Sequence, residues 1–459
     1  MLYFDNLSRD TADAYLADGL TDEIIARLGQ VERLQVKSRT AVARYRDATL
    51  DPGQLGRTLG VAYLVNGTVR RGARRLRVTV ELVRASSGNR LWGQQYDRTD
   101  ADLLAIEEDI AKSVVTAIAG RLAPAERASL AARPTRNLAA YDHYLRGNYY
   151  LAQRRSAAVS RAIEEHGAAV ALDSTFAEAQ ARIALGYALS LDWSWTPTGL
   201  TPDSLLARGL AAADRALRRD SLSSDAWMAR AYLLRFRYPQ TYAGVLAAFE
   251  RAMARDPRNA EAVHQYGSAL TELGDDSGAV AAFHQALALE AERPVTLFQL
   301  ALVSKVRRQY AEASQWLDSA LAIDPGFPAA RSHRAVLRAR LGDRAGAVAD
   351  LQLAQQIDPS YADRFQAVVA GLLGDSVGAR AAAQRLLGEI ARADSPTALR
   401  GAVVGSALVA AGEPARAFDI LERVRPRGVY FWWLLRYHEF DPVRADPRFL
   451  RLVEESRPR

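Results

Sequence analysis

The stretch DPRNAEAVHQYGSALTELGDDSGAVAAFHQALALE, residues 256–290, decides the fold. It opens with an Asp-Pro dipeptide, and related dipeptides follow at an even spacing of 34 residues: Glu290-Ala291, Asp324-Pro325 and Asp358-Pro359. Each interval holds two apolar patterns of helical period, separated by a short polar turn. An even period of this length predicts a tandem array of helix pairs.

Further positions recur with the same period. Glycines stand where each helix pair must reverse direction, which glycine does without strain: Gly274, Gly342, Gly374 and Gly412. Two earlier anchors, Asp173-Ser174 and Asp220-Ser221, extend the array towards the N-terminus. Twelve residues before an anchor a small residue recurs, at Ala162, Gly209, Ala279, Ala313 and Ala347, with Val245 as the exception. A period of 34 is that of the tetratricopeptide repeat, whose pairs stack into a superhelix with a concave wall.

The first part of the chain alternates helix and strand patterns. Helices are expected over 11–28, 55–59 and 103–122, and strands over 2–4, 34–36, 61–69, 76–83 and 91–96. We therefore predict an α+β protein, in which a small mixed-sheet α/β domain precedes an all-α tetratricopeptide superhelix, an α-solenoid. The expected boundaries are 1–123 for the α/β domain, 124–137 for a linker, 138–427 for about eight helix pairs and 428–459 for an aromatic C-terminal cap.

Composition narrows the class of protein. The 459 residues carry 60 basic and 53 acidic side chains, a net charge of +7, and no cysteine. Disulfides and thiolate chemistry are therefore excluded. The N-terminus lacks the pattern of a secretion signal, and no apolar run approaches the length of a membrane helix. One basic cluster stands out at an expected hairpin: Arg70, Arg71, Arg74, Arg75 and Arg77.

No motif indicates catalysis. The chain has no Gly-rich phosphate loop, no His-Glu-x-x-His and no Gly-x-Ser-x-Gly. The six histidines are scattered over separate repeats without the spacing of metal ligands. We expect no enzyme activity, no cofactor and no metal site.

The inward positions of the first helix in each pair are the candidate binding residues. Counting from the anchors predicts a protein-binding concave face made of Glu178, Arg182, Asp225, Met228, Tyr232, Arg235, Glu261, His264, Ser268, Thr271, Phe298, Leu302 and Lys305. A groove that mixes aromatic, Arg, Met and acidic side chains suits a peptide partner. The Lys and Asn positions of carboxylate-clamp repeats are absent.

Short motifs in the first part resemble the TolB-type amino-terminal domain, which is grouped with FlgO- and CsgG-like α/β domains. They are Phe4-Asp5-Asn6-Leu7-Ser8, Ala17-Asp18-Gly19-Leu20-Thr21, Ser38-Arg39-Thr40, Asn66-Gly67-Thr68-Val69-Arg70 and the run from Leu91 to Arg98. The closing run from Phe440 to Phe449 is similar to the usual end of those proteins. The resemblance implies tetratricopeptide repeats after the α/β domain. It also implies a signalling module before it, such as a bacterial serine/threonine kinase, a class III adenylate cyclase or a winged-helix regulator.

Three functions follow as alternatives. The first is a non-enzymatic scaffold that docks a peptide or protein in bacterial signalling. The second is the detached regulatory half of a kinase or cyclase whose catalytic domain lies upstream, because only Met1, Leu2 and Tyr3 precede the Phe4 motif. The third, nucleic-acid binding through the arginine cluster, is disfavoured because no aromatic stacking platform accompanies it. The expected location is cytoplasmic, or periplasmic if a membrane helix precedes this region.

Overall fold

The computed structural model describes most of the chain. The described residues are 1–8, 10, 13–37, 41–42, 45–46, 51–72, 75–99, 102–195, 199–237, 242–390, 398–424 and 428–458. Arg74 of the basic cluster and the Ser38-Arg39-Thr40 motif lie outside them. By internal contacts the chain divides into two compact units. The first is 1–233 with 254–256 and 289–291, and the second is 234–253, 257–288 and 292–459.

The first unit begins with a four-stranded mixed sheet. Its strands are β1 (Asp5–Asn6), β2 (Tyr63–Arg71), β3 (Arg75–Arg84) and β4 (Arg90–Thr99), in the order β1-β2-β3-β4. β1 pairs with β2 in parallel, Asp5 opposite Thr68, and the other two pairings are antiparallel. The helices of this part are α1 (Ala14–Gly29), α2 (Pro52–Leu59) and α3 (Leu103–Ala119).

The strand expected over 34–36 is wrong. This segment forms no ladder, and the Leu34 amide instead donates to the Val31 carbonyl at 2.9 Å in a turn that follows α1. Leu34 and Val36 pack half-buried against the core, which explains their apolar character without a strand.

The expected linker contains a helix, α4 (Pro124–Ala131). Pro124 occupies its first turn, where the missing N–H costs nothing, and the Glu126 carboxylate accepts from the Ala123 amide at 2.8 Å. Leu130 of this helix is fully buried.

Eight helix pairs follow within the described residues. They are α5 (Leu138–Ala152) with α6 (Ser156–Leu172), α7 (Ala177–Asp192) with α8 (Pro202–Arg219), α9 (Ser224–Leu234) with α10 (Tyr242–Arg255), α11 (Ala260–Leu273) with α12 (Asp276–Leu289), α13 (Pro294–Val306) with α14 (Tyr310–Ile323), α15 (Pro328–Arg340) with α16 (Arg344–Ile357), α17 (Pro359–Leu372) with α18 (Ser376–Ile390), and α19 (Ala398–Ala410) with α20 (Pro414–Leu421). α11, α13 and α15 begin 34 residues apart, so the predicted repeat and fold class are confirmed. The chain ends with α21 (Val429–Leu435), a 3₁₀ helix (His438–Val443) and α22 (Pro447–Ser456).

The turn glycines adopt the left-handed conformation that motivated their assignment. Gly274, Gly342, Gly374 and Gly412 have φ values of 84°, 87°, 79° and 77°. At the same position of the intervening pair, between Gly274 and Gly342, stands Arg308 with φ 62°. A side chain in this region of conformational space carries backbone strain, so Arg308 requires an explanation beyond the turn.

Candidate peptide-docking surface

Three of the predicted inward residues form a half-exposed charged group in the first unit. Glu178 and Arg182 lie on α7 and Asp225 on α9, so two successive first helices contribute. The Arg182 Nη2 atom lies 3.0 Å from Asp225 Oδ2, and the side chains are 30% and 39% exposed. The Asp225 charge holds the pKa of Arg182 above its usual range, while burial raises the pKa of Glu178. This group presents one cation and two carboxyls at a surface that solvent reaches.

Two other predicted residues of the first unit lie inside. Met228 and Tyr232 are buried, and the Tyr232 hydroxyl donates to Asp192 Oδ2 at 2.7 Å. The Tyr232 hydrogen bond joins α9 to the last residue of α7, a packing role that the inward periodicity does not distinguish from ligand contact.

In the second unit, a hydrogen-bonded network takes up five of the predicted residues. Arg235 donates to Gln265 Oε1 at 2.8 Å and pairs with Glu272, and all three are buried. Glu261 accepts from Arg293 at 2.6 Å, and Thr296 Oγ1 lies 2.9 Å from His264 Nδ1. Ser268 and Thr271 are buried and donate to backbone carbonyls one turn earlier, those of His264 and Gly267. Only Glu261 of these five remains half-buried.

Phe298, Leu302 and Lys305 on α13 are buried as well. The Phe298 ring meets the Phe327 and His333 rings edge-on, at centroid distances of 5.3 and 5.2 Å. Lys305 has no exposed side-chain surface, and burial lowers its pKa.

The C-terminal part of the chain covers this region. We call residues 429–443 the return segment. Lys305 Nζ lies 3.2 Å from Glu439 Oε1 and 5.4 Å from the centre of the Tyr437 ring. Arg436 forms a bidentate pair with Asp276, at 2.7 and 3.1 Å. The face of α13 that the sequence presents as an open groove is therefore filled by the protein itself.

Of the thirteen predicted residues, four keep exposed surface and nine are buried. The four are Glu178, Arg182, Asp225 and Glu261. The assignment of this face to a protein partner stays a prediction. At Lys305 such a partner has to replace the return segment.

A buried acidic site in the first unit was missed from the sequence. Glu107 on α3 has no exposed surface, and the Tyr141 hydroxyl donates to its carboxylate, with the hydroxyl oxygen 2.9 Å from Oε1 and 2.8 Å from Oε2. Arg27 Nη2 lies 3.5 Å away. Burial and then the Glu23 charge raise the pKa of Glu107 to about 8, and burial raises the pKa of Glu23 to about 7. The available signal was the position of Glu107, between Leu103 and Ile110 on the apolar stripe of its helix.

The arginine cluster is largely engaged by partners. Arg75 and Arg77 both donate to the Asp97 carboxylate at 2.7 Å, and Arg71 donates to the Tyr15 hydroxyl at 2.8 Å. These contacts orient Arg71, Arg75 and Arg77, and Arg75 and Arg77 share a single carboxylate.

Two further features, a metal site and a membrane-spanning helix, do not occur in the described part of the chain. No group of three or more His, Asp or Glu residues there has the arrangement of a metal site. No described helix combines the length and the apolar character that a membrane span requires.

Comparison with known proteins gives one curated relative and several solved structures. No family model matches the chain. The putative adenylate cyclase 3 of Rhizobium meliloti (strain 1021) is 30% identical over 220 residues, which are 48% of this chain. The chain spans 37% of the length of that relative.

Among solved structures, similarity is found to tetratricopeptide-type proteins. Pseudomonas aeruginosa PilF is 21% identical, with 48% of this chain and 94% of PilF covered at a TM-score of 0.37. A tetratricopeptide repeat protein of Parabacteroides merdae is 16% identical, with coverages of 60% and 98% and a TM-score of 0.39. Yeast Tom70 is 12% identical, with coverages of 78% and 83% and a TM-score of 0.40. We draw no functional inference from these likenesses.

Proposed function

We propose that this protein is a non-enzymatic scaffold of bacterial signalling, which binds a peptide or protein on the inward face of its first helices. The carrying observation is the Arg182–Asp225 pair, which joins α7 and α9 and stays partly exposed. A cytoplasmic location and a TolB-type identity of residues 1–123 belong to the same proposal, the latter on the motif resemblance alone.

The chemistry of the pair favours a peptide with a carboxylate. The planar guanidinium of Arg182 can exchange Asp225 for a carboxylate of the ligand without losing its hydrogen bonds. Asp225 and Glu178 are then available to a basic group of the same ligand. Rigid helices hold all three side chains, so little ordering free energy is lost on binding.

A peptide library displayed on phage tests this proposal with the full chain as bait. We expect the wild-type protein to select a consensus sequence that Arg182→Ala no longer selects. Arg230→Ala is the matched control, because Arg230 also pairs with an aspartate, Asp214, at 2.9 Å and is 32% exposed. Selection of the same consensus by all three proteins, or of none by the wild type, contradicts the proposal.

A second candidate function rests on the similarity to the putative adenylate cyclase 3. In this alternative the chain is the regulatory half of a cyclase or kinase, and its partner is a catalytic domain. A chimaera in which this chain replaces the matched 220 residues of that relative tests it through adenylate cyclase activity. Activity that responds to the Arg182→Ala substitution supports the alternative, whereas a chimaera with unchanged activity in both forms rules it out.

A further inference from the structure

Within the second unit, the return segment contacts charged side chains that lie at or just beyond the ends of three first helices. Asp276 follows α11 and pairs with Arg436, Lys305 near the end of α13 pairs with Glu439, and Arg308 beyond α13 pairs with Asp441 at 2.5 Å. Arg340 at the end of α15 lies 3.4 Å from the same Asp441. Four ion pairs, which we call the ion-pair ladder, thus connect the return segment to the region of α11, α13 and α15.

The backbone conformation at Arg308 supports a functional role for the ion-pair ladder. The turn positions at 274, 342, 374 and 412 hold glycine, whereas Arg308 adopts a φ of 62° despite its side chain. Two turn residues of the first unit, Arg154 and Ser194, also have positive φ, at 46° and 56°. Glycine at this position removes the strain. The arginine side chain, however, donates both to Asp441 and to the Arg436 carbonyl, at 2.5 and 3.0 Å. The strain is thus retained together with the contact to the return segment, and strain of this kind often marks a functional position.

The contact is not built like a permanent core. Lys305 and His438 are at most 1% exposed, and neither ring nitrogen of His438 has a hydrogen-bond partner within the described residues. His438 Nδ1 lies 3.2 Å from Glu439 Oε2 but outside hydrogen-bonding geometry. Buried charges and unpaired polar atoms lower the stability of a contact relative to an apolar one. This contact can therefore open more readily than an apolar interface of equal size.

The opposite side of the C-terminal region is apolar. Phe431, Phe440 and Phe449 are almost fully buried, and the Phe440 and Phe449 rings lie 5.5 Å apart. α21 and the 3₁₀ helix pack on α19, and α22 packs on α20. The region therefore stays attached to the last helix pair when its charged side is released.

We propose that the ends of α13 and α15 form a binding site for acidic peptides, and that the return segment occupies this site as an internal competitor. The occupant shows which chemistry the site accepts: an aromatic residue followed by two acids at alternate positions, as in Tyr437-x-Glu439-x-Asp441. Tyr437 faces Lys305 and His333, with 6.3 Å between the Tyr437 and His333 rings.

The cations decide the charge of the partner. Glu439 and Asp441 of the return segment supply the carboxylates that pair with Lys305, Arg308 and Arg340. When the return segment is released, the acidic side chains of a bound peptide restore these pairs. The inference deepens the proposed docking function by naming a second surface and its ligand class, and it does not depend on the Arg182 group.

The test uses a fluorescently labelled peptide with the sequence of residues 436–446, RYHEFDPVRAD, and the full-length protein. A double variant, Glu439→Gln with Asp441→Asn, weakens the internal competitor. We expect fluorescence anisotropy to show at least tenfold tighter peptide binding to the double variant than to the wild type. A peptide with both acids replaced by lysine serves as the control and should not bind.

Arg308 variants in the double-variant background complete the test. Arg308→Gly relieves backbone strain, so this protein folds at least as well, and we expect it to lose peptide binding by about tenfold. Arg308→Lys keeps the charge and should restore part of the affinity. Equal binding by wild type and double variant, or binding that ignores Arg308→Gly, overturns the inference. Retention of the Arg182-dependent phage consensus in that case leaves the proposed function standing.

Discussion

Two first helices, α5 in the first unit and α13 in the second, are covered in two different ways. In the first unit, α5 joins the sheet, α1 and α3 in one continuous apolar core that runs from Phe4 to Ala179. In the second unit, the return segment contacts the region of α11, α13 and α15 through ion pairs together with the aromatic side chains of Trp432 and Tyr437. The same kind of helix face can thus be closed permanently by apolar packing or closed reversibly by charge.

The difference follows from what each cover removes from water. At Gly19 of α1, a Cβ atom would lie 3.1 Å from Leu145, so these two helices approach as closely as a glycine allows. Burial of apolar surface at such a contact is favourable in every ionic condition. The ion pairs that Asp441 forms with Arg308 and Arg340 lose strength as salt rises, because their charges are partly exposed. The buried Lys305–Glu439 pair is screened much less.

The largest expected effect is on the apolar cover. Leu145→Ala leaves a cavity beside Gly19 in the core of the first unit, and we expect the free energy of unfolding to fall by about 3 kcal/mol. Urea denaturation followed by circular dichroism measures it. Leu341→Ala is the control, because Leu341 is 59% exposed and should change stability little. Equal effects of the two substitutions contradict a continuous core.

The second prediction concerns pH and Glu107. In the folded protein its pKa is about 8, whereas the ordinary value is 4.5, so the folded state holds an additional proton between these two pH values. The wild type therefore loses stability as pH rises from about 4.5 to about 8, and Glu107→Gln does not share that loss. We expect the variant to gain more than about 1.4 kcal/mol relative to wild type over this range, since one unit of pKa shift corresponds to that free energy. Parallel pH profiles for the two proteins contradict the assignment.

The third prediction compares two glycines of similar conformation, Gly274 and Gly342, of which only Gly274 lies against the return segment. Gly274→Ala and Gly342→Ala both place a side chain at positive φ, which costs about 1 kcal/mol. Only at Gly274 does the new Cβ meet the Trp432 ring, at 2.8 Å, whereas nothing lies within 4 Å at Gly342. We expect thermal denaturation to show a larger loss for Gly274→Ala. A loss of the same size in both variants means that Trp432 does not rest on this turn.

The smallest effect is expected for an exposed ion pair on the sheet. Arg75 pairs with Asp97, but its side chain is 69% exposed, and Arg77 holds the same carboxylate. Arg75→Ala should leave the thermal midpoint unchanged within error, since exposed pairs contribute little. A clear fall in the thermal midpoint of Arg75→Ala contradicts this prediction.

Local periodicity predicted the helix pairs and their turns, because both depend on residues less than 40 positions apart. The glycines at 274, 342, 374 and 412 are the clearest case. A C-terminal aromatic cap was predicted over 428–459, but its contact with earlier repeats was not, since Arg308 and Asp441 are 133 residues apart and no repeat links them. One signal was present nonetheless: an arginine occupies the glycine position at 308. The strand prediction for 34–36 was wrong because Leu34 and Val36 are apolar for packing against the core, and not for pairing with a neighbouring strand.

The central claim is that the return segment contact opens while the apolar cover stays closed. Because the chain has no cysteine, spin labels can be attached without background at Gln285→Cys on α12 and at Ala445→Cys, an exposed position two residues after the return segment. Double electron–electron resonance then gives the distance distribution between them, with and without the Asp441→Asn substitution. We expect a second, longer distance between the two labels, whose population rises in the Asp441→Asn protein and at high salt. A single distance that neither change alters would contradict it.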